Sequence, residues 1–241
     1  MKEIKDIAKQ LKLPYIRNNI EVEINEAMCL NKDYYQFIKQ LLERELQNRK
    51  QNVYKYRLRL AKFPYKKYLE DFDKKELLFS EHQKLKELET LDFIRKGQNV
   101  ILLGNPGVGK THIAIGLGIK ACLNNMSVLY MTVPNLIKEL KDSVSLNQLS
   151  SYKKKFIKYD LVIIDDLGYI SFDKETSVLL LNLLSYRNEY KAMIISSVIS
   201  LEKWNEIFSD SISTAAFVDK MKHKSYIINM HNKSYRMKET E

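Results

Sequence analysis

Residues 99–111 read NVILLGNPGVGKT. A short apolar run ends in a loop with three glycines, and the loop ends in Lys-Thr. This is the G-x-x-x-x-G-K-T phosphate loop, preceded by a strand and followed by THIAIGLGIKA, which has helical character. Gly104, Gly107 and Gly109 permit backbone conformations that point successive N–H groups inward. Those amides, at the N-terminus of a helix beginning near Lys110, cradle phosphate oxygens. Lys110 reaches the β- and γ-phosphates, and Thr111 offers its hydroxyl to Mg²⁺. The whole loop, Gly104, Asn105, Pro106, Gly107, Val108, Gly109, Lys110 and Thr111, is thus expected to bind a nucleotide.

Residues 161–168, LVIIDDLG, supply the matching charge. Ligands of such folds sit at the carboxyl ends of parallel strands. Asp165 is expected to close a hydrophobic strand there and to bind Mg²⁺ through water. Asp166 either orients and deprotonates an attacking water or caps the following turn.

Outward from these two stretches, the chain alternates strand and helix after Gly97. Strands are expected at 99–103, 127–132, 160–165, 192–197 and 225–230. Short apolar strands with helical crossovers imply a parallel sheet covered on both faces. Before it, a helix is expected from Glu81 to Arg95, closed by Gly97 at the position after its C-cap. Residues 1–70 look helical and amphipathic. Phe37, Ile38, Leu41, Leu42 and Leu46 keep a helical period, Asp33 is a candidate N-cap, and Pro14 separates this helix from a short first one. The expected organisation is therefore a helical basic domain over 1–70, a connecting segment and helix over 71–98, and a nucleotide-binding α/β core over 99–241.

The charge is lopsided from Arg44 to Lys67. Arg44, Arg49, Lys50, Lys55, Arg57, Arg59, Lys62, Lys66 and Lys67 are set against Glu45 alone, with Tyr54, Tyr56, Phe63 and Tyr65 interleaved. Such a stripe suits phosphate contacts on a nucleic acid; the alternative is a solvated helix face with its aromatics in the core. A net charge of +10 agrees with a polyanionic partner. Cys29 and Cys122 are expected as buried thiols in a reducing compartment. Without an apolar run near the ~20 residues of a membrane helix, and without a signal-peptide core in MKEIKDIAKQ, the protein is expected to be cytoplasmic, with no membrane partner. His82, His112, His223 and His231 lack partners at metal-ligand spacing. Trp204, in LEKWNEIF, is expected to pack a helix onto the sheet.

Several segments together resemble the IstB-type ATP-binding helper proteins of bacterial insertion sequences, AAA+ ATPases related to the DnaC and DnaI helicase loaders. They are LKLPYIRNNIE (11–21), FPYKKYLEDFD (63–73), LETLDFIRKGQNVILLGNPGVGKTHIAIGLG (88–118), YDLVIIDDLGYI (159–170), WNEIF (204–208), VDK (218–220) and SYIINM…SYRM (225–237). The resemblance implies a P-loop AAA+ core with a five-stranded parallel sheet of order 5-1-4-3-2, preceded by a small all-helical domain. It implies ATP and Mg²⁺ as ligands, homo-oligomers on double-stranded DNA, and a transposase partner. It places the basic segment in the domain that touches DNA. Little chain follows the last strand, so a full lid domain is not expected.

Three positions depart from the family. Glu is usual where this chain has Asp166, which is one methylene shorter, so the attacking water must sit closer. The sensor Asn at the end of the fourth strand falls on Val198, which cannot hydrogen-bond; Ser196 or Ser197 can substitute. The arginine finger falls on Lys220, which keeps the charge and loses the planar fork. An arginine finger is worth about 10³–10⁵ in rate. The resemblance therefore implies firm ATP·Mg²⁺ binding with slow, assembly-dependent hydrolysis, and an adenine pocket near Phe72 and Asp73. The alternatives are a DnaC/DnaI-like helicase loader and, from another class, a small-molecule P-loop kinase. The latter predicts acceptor-dependent ADP release and no effect of DNA.

Overall fold

The computed structural model describes residues 2–73 and 77–230. The chain divides into two compact units, Met1–Tyr56 and Arg57–Glu241. Among the described residues, no helix is long and apolar enough to cross a membrane.

The first unit is helical. It holds α1 (Lys2–Gln10), α2 (Pro14–Cys29) and most of α3 (Tyr34–Ala61). Pro14 opens α2 at a position where its missing N–H costs nothing and its fixed φ suits a helix. Asp33 caps α3: its Oδ1 accepts the Gln36 N–H at 2.7 Å. Ala8, Ile16 and Ile20 form a buried apolar cluster, with Leu13, Ile24, Phe37 and Leu41 packed partly buried against it. Ile38, Leu42 and Leu46, one residue further round the helix, are 54%, 55% and 53% exposed. The apolar period of α3 therefore runs on two faces, and only one meets the cluster.

Charge completes this interior. Glu23 and Glu45 are buried. Arg44 pairs with both Glu23 and Glu26, and the Tyr15 hydroxyl donates to Glu23 at 2.7 Å. Glu45 accepts the Ile16 N–H at 3.1 Å, which satisfies one of the orphan amides at the start of α2. Arg49 lies 3.5 Å from Glu45 and donates to the Lys12 carbonyl. Two members of the expected basic stripe are thus used inside the fold. Along the sequence they faced Glu45 alone; in space, α2 adds Glu23 and Glu26. Cys29 is exposed, against the expectation of burial, while Cys122 is buried. Cys29 lies about 140° round the helix from Ile24, off the Ile16–Ile20–Ile24 stripe.

The second unit is α/β. Its strands are β1 (Asn99–Gly104), β2 (Val128–Thr132), β3 (Leu161–Leu167), β4 (Ala192–Ser197) and β5 (Ser225–Met230). They form one sheet of order β2-β3-β4-β1-β5, which read from the β5 edge is 5-1-4-3-2. Every pairing is parallel. Crossovers are α6 (Lys110–Leu123) after β1, α7 (Val133–Ser145) and α8 (Leu149–Lys158) after β2, α9 (Lys174–Tyr190) after β3, and α10 (Trp204–Ile207) and α11 (Ser211–His223) after β4. Alternate residues face opposite sides. Ile101, Leu129, Val162 and Ile195 join the core under α7–α11, where Trp204 stacks on Phe217 with centroids 6.2 Å apart. The buried Arg187 donates to the carbonyls of Phe156, Tyr159 and Ala192, tying the end of α8 to the start of β4.

The single helix expected over 81–95 is two: α4 (Phe79–Leu88) and α5 (Asp92–Arg95). Between them Leu91 has φ +64°. The break lets Leu88, Leu91, Phe93 and Ile94 all be buried, which no single helix face accommodates. Gly97 does close α5. With φ +63° it donates to the Ile94 carbonyl, and the Gln98 N–H reaches Phe93.

The division at Tyr56 falls earlier than the residue-70 boundary read from the sequence. Residues 61–72 belong to the second unit, where they pack against glycines at the start of and within the first crossover. A Cβ on Gly118 would lie 2.8 Å from Phe63, one on Gly116 2.7 Å from Leu69, and one on Gly109 2.6 Å from Phe72. Side chains of this strap therefore fill the notches the glycines leave. Residues 231–237, including His231 and the SYRM stretch, lie outside the described residues, as does any lid after β5.

Candidate functional site

The parallel sheet brings β1 and β3 to a common carboxyl end. β1 leads into the phosphate loop, where Gly107 and Gly109 have φ +81° and +96°. These left-handed values turn the backbone so that α6 starts at Lys110. Buried Val108 anchors the loop. Lys110 is itself buried, and its Nζ donates to the carbonyls of Gly104 (2.7 Å) and Asn105 (2.8 Å). Burial pushes the Lys110 ammonium below its ordinary pKa, while Asp165 and Asp166 oppose that shift.

β3 was expected to end at Asp165; it runs on through Asp166 to Leu167. Its register against β4 shifts between Ile164 and Leu167, and Asp166 has φ +68°. This irregularity separates the two carboxylates. Asp165 is buried. One oxygen accepts the Tyr130 hydroxyl at 2.7 Å, and the other accepts the Ser196 hydroxyl. Asp166 instead borders a cleft of ≈190 Å³ with Tyr65, Gly107, Gly109, Lys110, Thr111, His112 and Tyr169. The Ser196 Oγ accepts the Asp166 N–H at 3.1 Å.

Lys110, Thr111, Asp166 and two loop glycines thus line one cleft, with Asp165 at the adjacent end of β3. Lys220 is elsewhere: it is exposed near the end of α11 and does not line this cleft. Val198 follows β4, where its N–H donates to the Leu167 carbonyl. Ser197 donates to the Ile199 carbonyl, so Ser196 is the serine whose hydroxyl faces the aspartates. Phe72 is buried against Gly109, and its ring meets His112 edge-on with centroids 5.5 Å apart. His112 also bonds the Tyr68 carbonyl at 2.7 Å, a helix residue latching the strap.

Tyr130 was missed in the sequence. Its one signal is a tyrosine inside the apolar strand SVLYMT, because a buried phenol needs a partner. A glycine loop turned by left-handed residues, a buried lysine donating to two loop carbonyls, and a buried carboxylate near the end of β3 fit a nucleoside triphosphate with its divalent cation.

The chain matches the family described as IstB-like ATP binding protein over residues 6–241. The ATP-binding protein of insertion sequence IS5376 from Geobacillus stearothermophilus is 31% identical, over 99% of this chain and 96% of the relative. The IS21 ATP-binding protein of Pseudomonas aeruginosa is 33% identical, over 99% and 90%. Among solved structures, DnaI is similar with a TM-score of 0.56 and 21% identity over 70% of this chain and 89% of that chain. AMPPCP-bound DnaA from Aquifex aeolicus gives 0.57 and 18% over 68% and 50%. These structural likenesses concern the fold.

Proposed function

The chain belongs to the family of IstB-like ATP-binding proteins, and on that premise we propose that it is an ATP-hydrolysing, DNA-binding helper that assists a transposase in insertion-sequence transposition. The observation that carries this reading is the cleft that joins Lys110, Thr111 and Asp166 beside Asp165. In it, backbone N–H groups of the Gly104–Thr111 loop, Pro106 excepted, hold the phosphates and Lys110 meets the β- and γ-oxygens. Thr111 and Asp165 hold Mg²⁺, which when bound neutralises charge between the phosphates. Asp166 orients the attacking water and takes its proton. Phe72 and Asp73 border the adenine.

The reading extends to assembly. Lys220, exposed on α11, serves the cleft of a neighbouring copy rather than its own, so hydrolysis depends on oligomer formation. With Val198 unable to hydrogen-bond and Lys220 lacking a guanidinium fork, turnover by the isolated chain is slow. Lys50, Lys55, Lys66 and Lys67 are exposed and supply cations for duplex DNA. Arg44 and Arg49 are engaged within the first unit and contribute less.

The test is ATP turnover with and without duplex DNA, for wild type, Lys110→Ala and Asp166→Asn. DNA stimulation in the wild type, abolished by both substitutions, is the expected result. Turnover unaffected by DNA in the wild type would sink the helper reading. Release of ADP only with a small phosphate acceptor would replace it with a kinase.

A further inference from the structure

We infer that Tyr130, acting with Ser196, is a positioning residue for Asp165: the two hydroxyls hold its carboxylate in the orientation that receives the divalent cation. This rests on the reading of the Lys110–Asp166 cleft as a nucleotide site.

Strand register explains how Tyr130 reaches Asp165. β2 and β3 pair Thr132 with Asp165 and Tyr130 with Ile163. Residues two apart on a strand share a face, at a rise of about 6.6 Å. The long phenol spans that step and brings its hydroxyl to Asp165 Oδ2 at 2.7 Å. On its way, the ring lies 6.1 Å from that of Phe63, centroid to centroid. Phe63 is the strap residue seated over Gly118, so the strap packs beside the Tyr130 ring.

Ser196 holds the other oxygen. Its hydroxyl donates to Asp165 Oδ1 and accepts the Asp166 N–H. One hydroxyl therefore fixes the carboxylate of one aspartate and the backbone of the next. With both oxygens held, the Asp165 carboxylate cannot rotate freely, yet each oxygen keeps a lone pair for a metal-bound water. A packing role alone would be met by phenylalanine at 130, without the cost of burying a hydroxyl. Partners that orient a metal-binding carboxylate are worth about 10–100-fold in metal affinity.

The experiment titrates Mg²⁺ into the full chain with a fluorescent ATP analogue and reads binding, with a parallel series in EDTA. Tyr130→Phe is expected to leave metal-free analogue binding unchanged and to lower the thermal midpoint only modestly, since one oxygen of a buried carboxylate loses its donor. The Mg²⁺ concentration for half-maximal enhancement is expected to rise by about 10-fold. Ser196→Ala is expected to shift the curve in the same direction. A Tyr130→Phe curve that superimposes on the wild type overturns the inference, as does a wild type whose analogue binding ignores Mg²⁺. Lys110→Ala separates the two ideas. If the wild type binds no analogue, or Lys110→Ala binds as well as the wild type, the nucleotide site itself is wrong and the inference falls with it. If only the Tyr130→Phe shift is missing, the site stands and the positioning role falls.

Discussion

The two units solve the problem of an interior in opposite ways. The second unit buries whole strands: Val100, Ile101, Leu102, Ile163, Ile194 and Ile195 are inaccessible. The first buries Ala8, Ile16 and Ile20 and then relies on Glu23, Glu45 and Arg44. Meanwhile Val22, Met28, Ile38, Leu42 and Leu46 stay exposed. Two buried carboxylates in so small a cluster are tolerated because each is paired or hydrogen-bonded. The lesson is that apolar periodicity marks a helix without saying which of its faces is interior.

The contrast can be broken by experiment, helped by the chain's single tryptophan. Trp204 lies in the second unit, so its fluorescence reports that unit while far-ultraviolet circular dichroism reports both. The largest effect is expected for Phe217→Ala, which empties a buried site beside Trp204 and should cost about 3–5 kcal/mol in denaturant unfolding followed by fluorescence. A cost below about 1 kcal/mol would mean the core under α11 is loose. Ile20→Ala should cost about 2 kcal/mol, near the low end for such truncations because the cluster is small and can relax. It should move the dichroism transition while leaving the Trp204 midpoint in place; a shift of both would show that the units unfold as one.

The smallest effect is the most specific. Hydrogen bonds from Arg44, then Lys32 and Gln40, hold the Glu26 carboxyl down to about 2. A depressed carboxylate stabilises the fold above its unfolded pKa, and that stabilisation fades as pH falls through the folded one. Glu26→Gln should therefore lower the first unit's thermal midpoint modestly at neutral pH. The gap to wild type should close between pH about 4.5 and about 2. A gap that persists at the acid end would assign the effect to shape rather than charge.

Legibility in the sequence followed the same division. The phosphate loop and the alternating strands were readable because their chemistry is local: glycines where φ is positive, and short apolar runs of strand length. The sequence pattern puts residues 61–70 of the strap in the first domain, with its helical, basic stretch, and residues 71–72 in the connecting segment. What attaches the strap to the rest of the second unit is the absence of side chains at Gly109, Gly116 and Gly118, which becomes informative only once the chain is folded. Arg187 was passed over for a related reason, since its partners are backbone carbonyls that carry no residue signature.

By itself, the sequence determined that this is a phosphate-loop α/β protein, with Lys110, Thr111, Asp165 and Asp166 as the residues to examine. Those conclusions needed only spacing and residue type. Tertiary structure decided how the adjacent aspartates differ. The break in register at Asp166 turns one carboxylate to the cleft and leaves the other between Tyr130 and Ser196. It also decided which end-of-strand serine faces them, and that Arg44 and Arg49 are held within the first unit. The physical reason is the same in each case. Hydrogen-bond partners come from distant strands and helices, and only folding makes them neighbours.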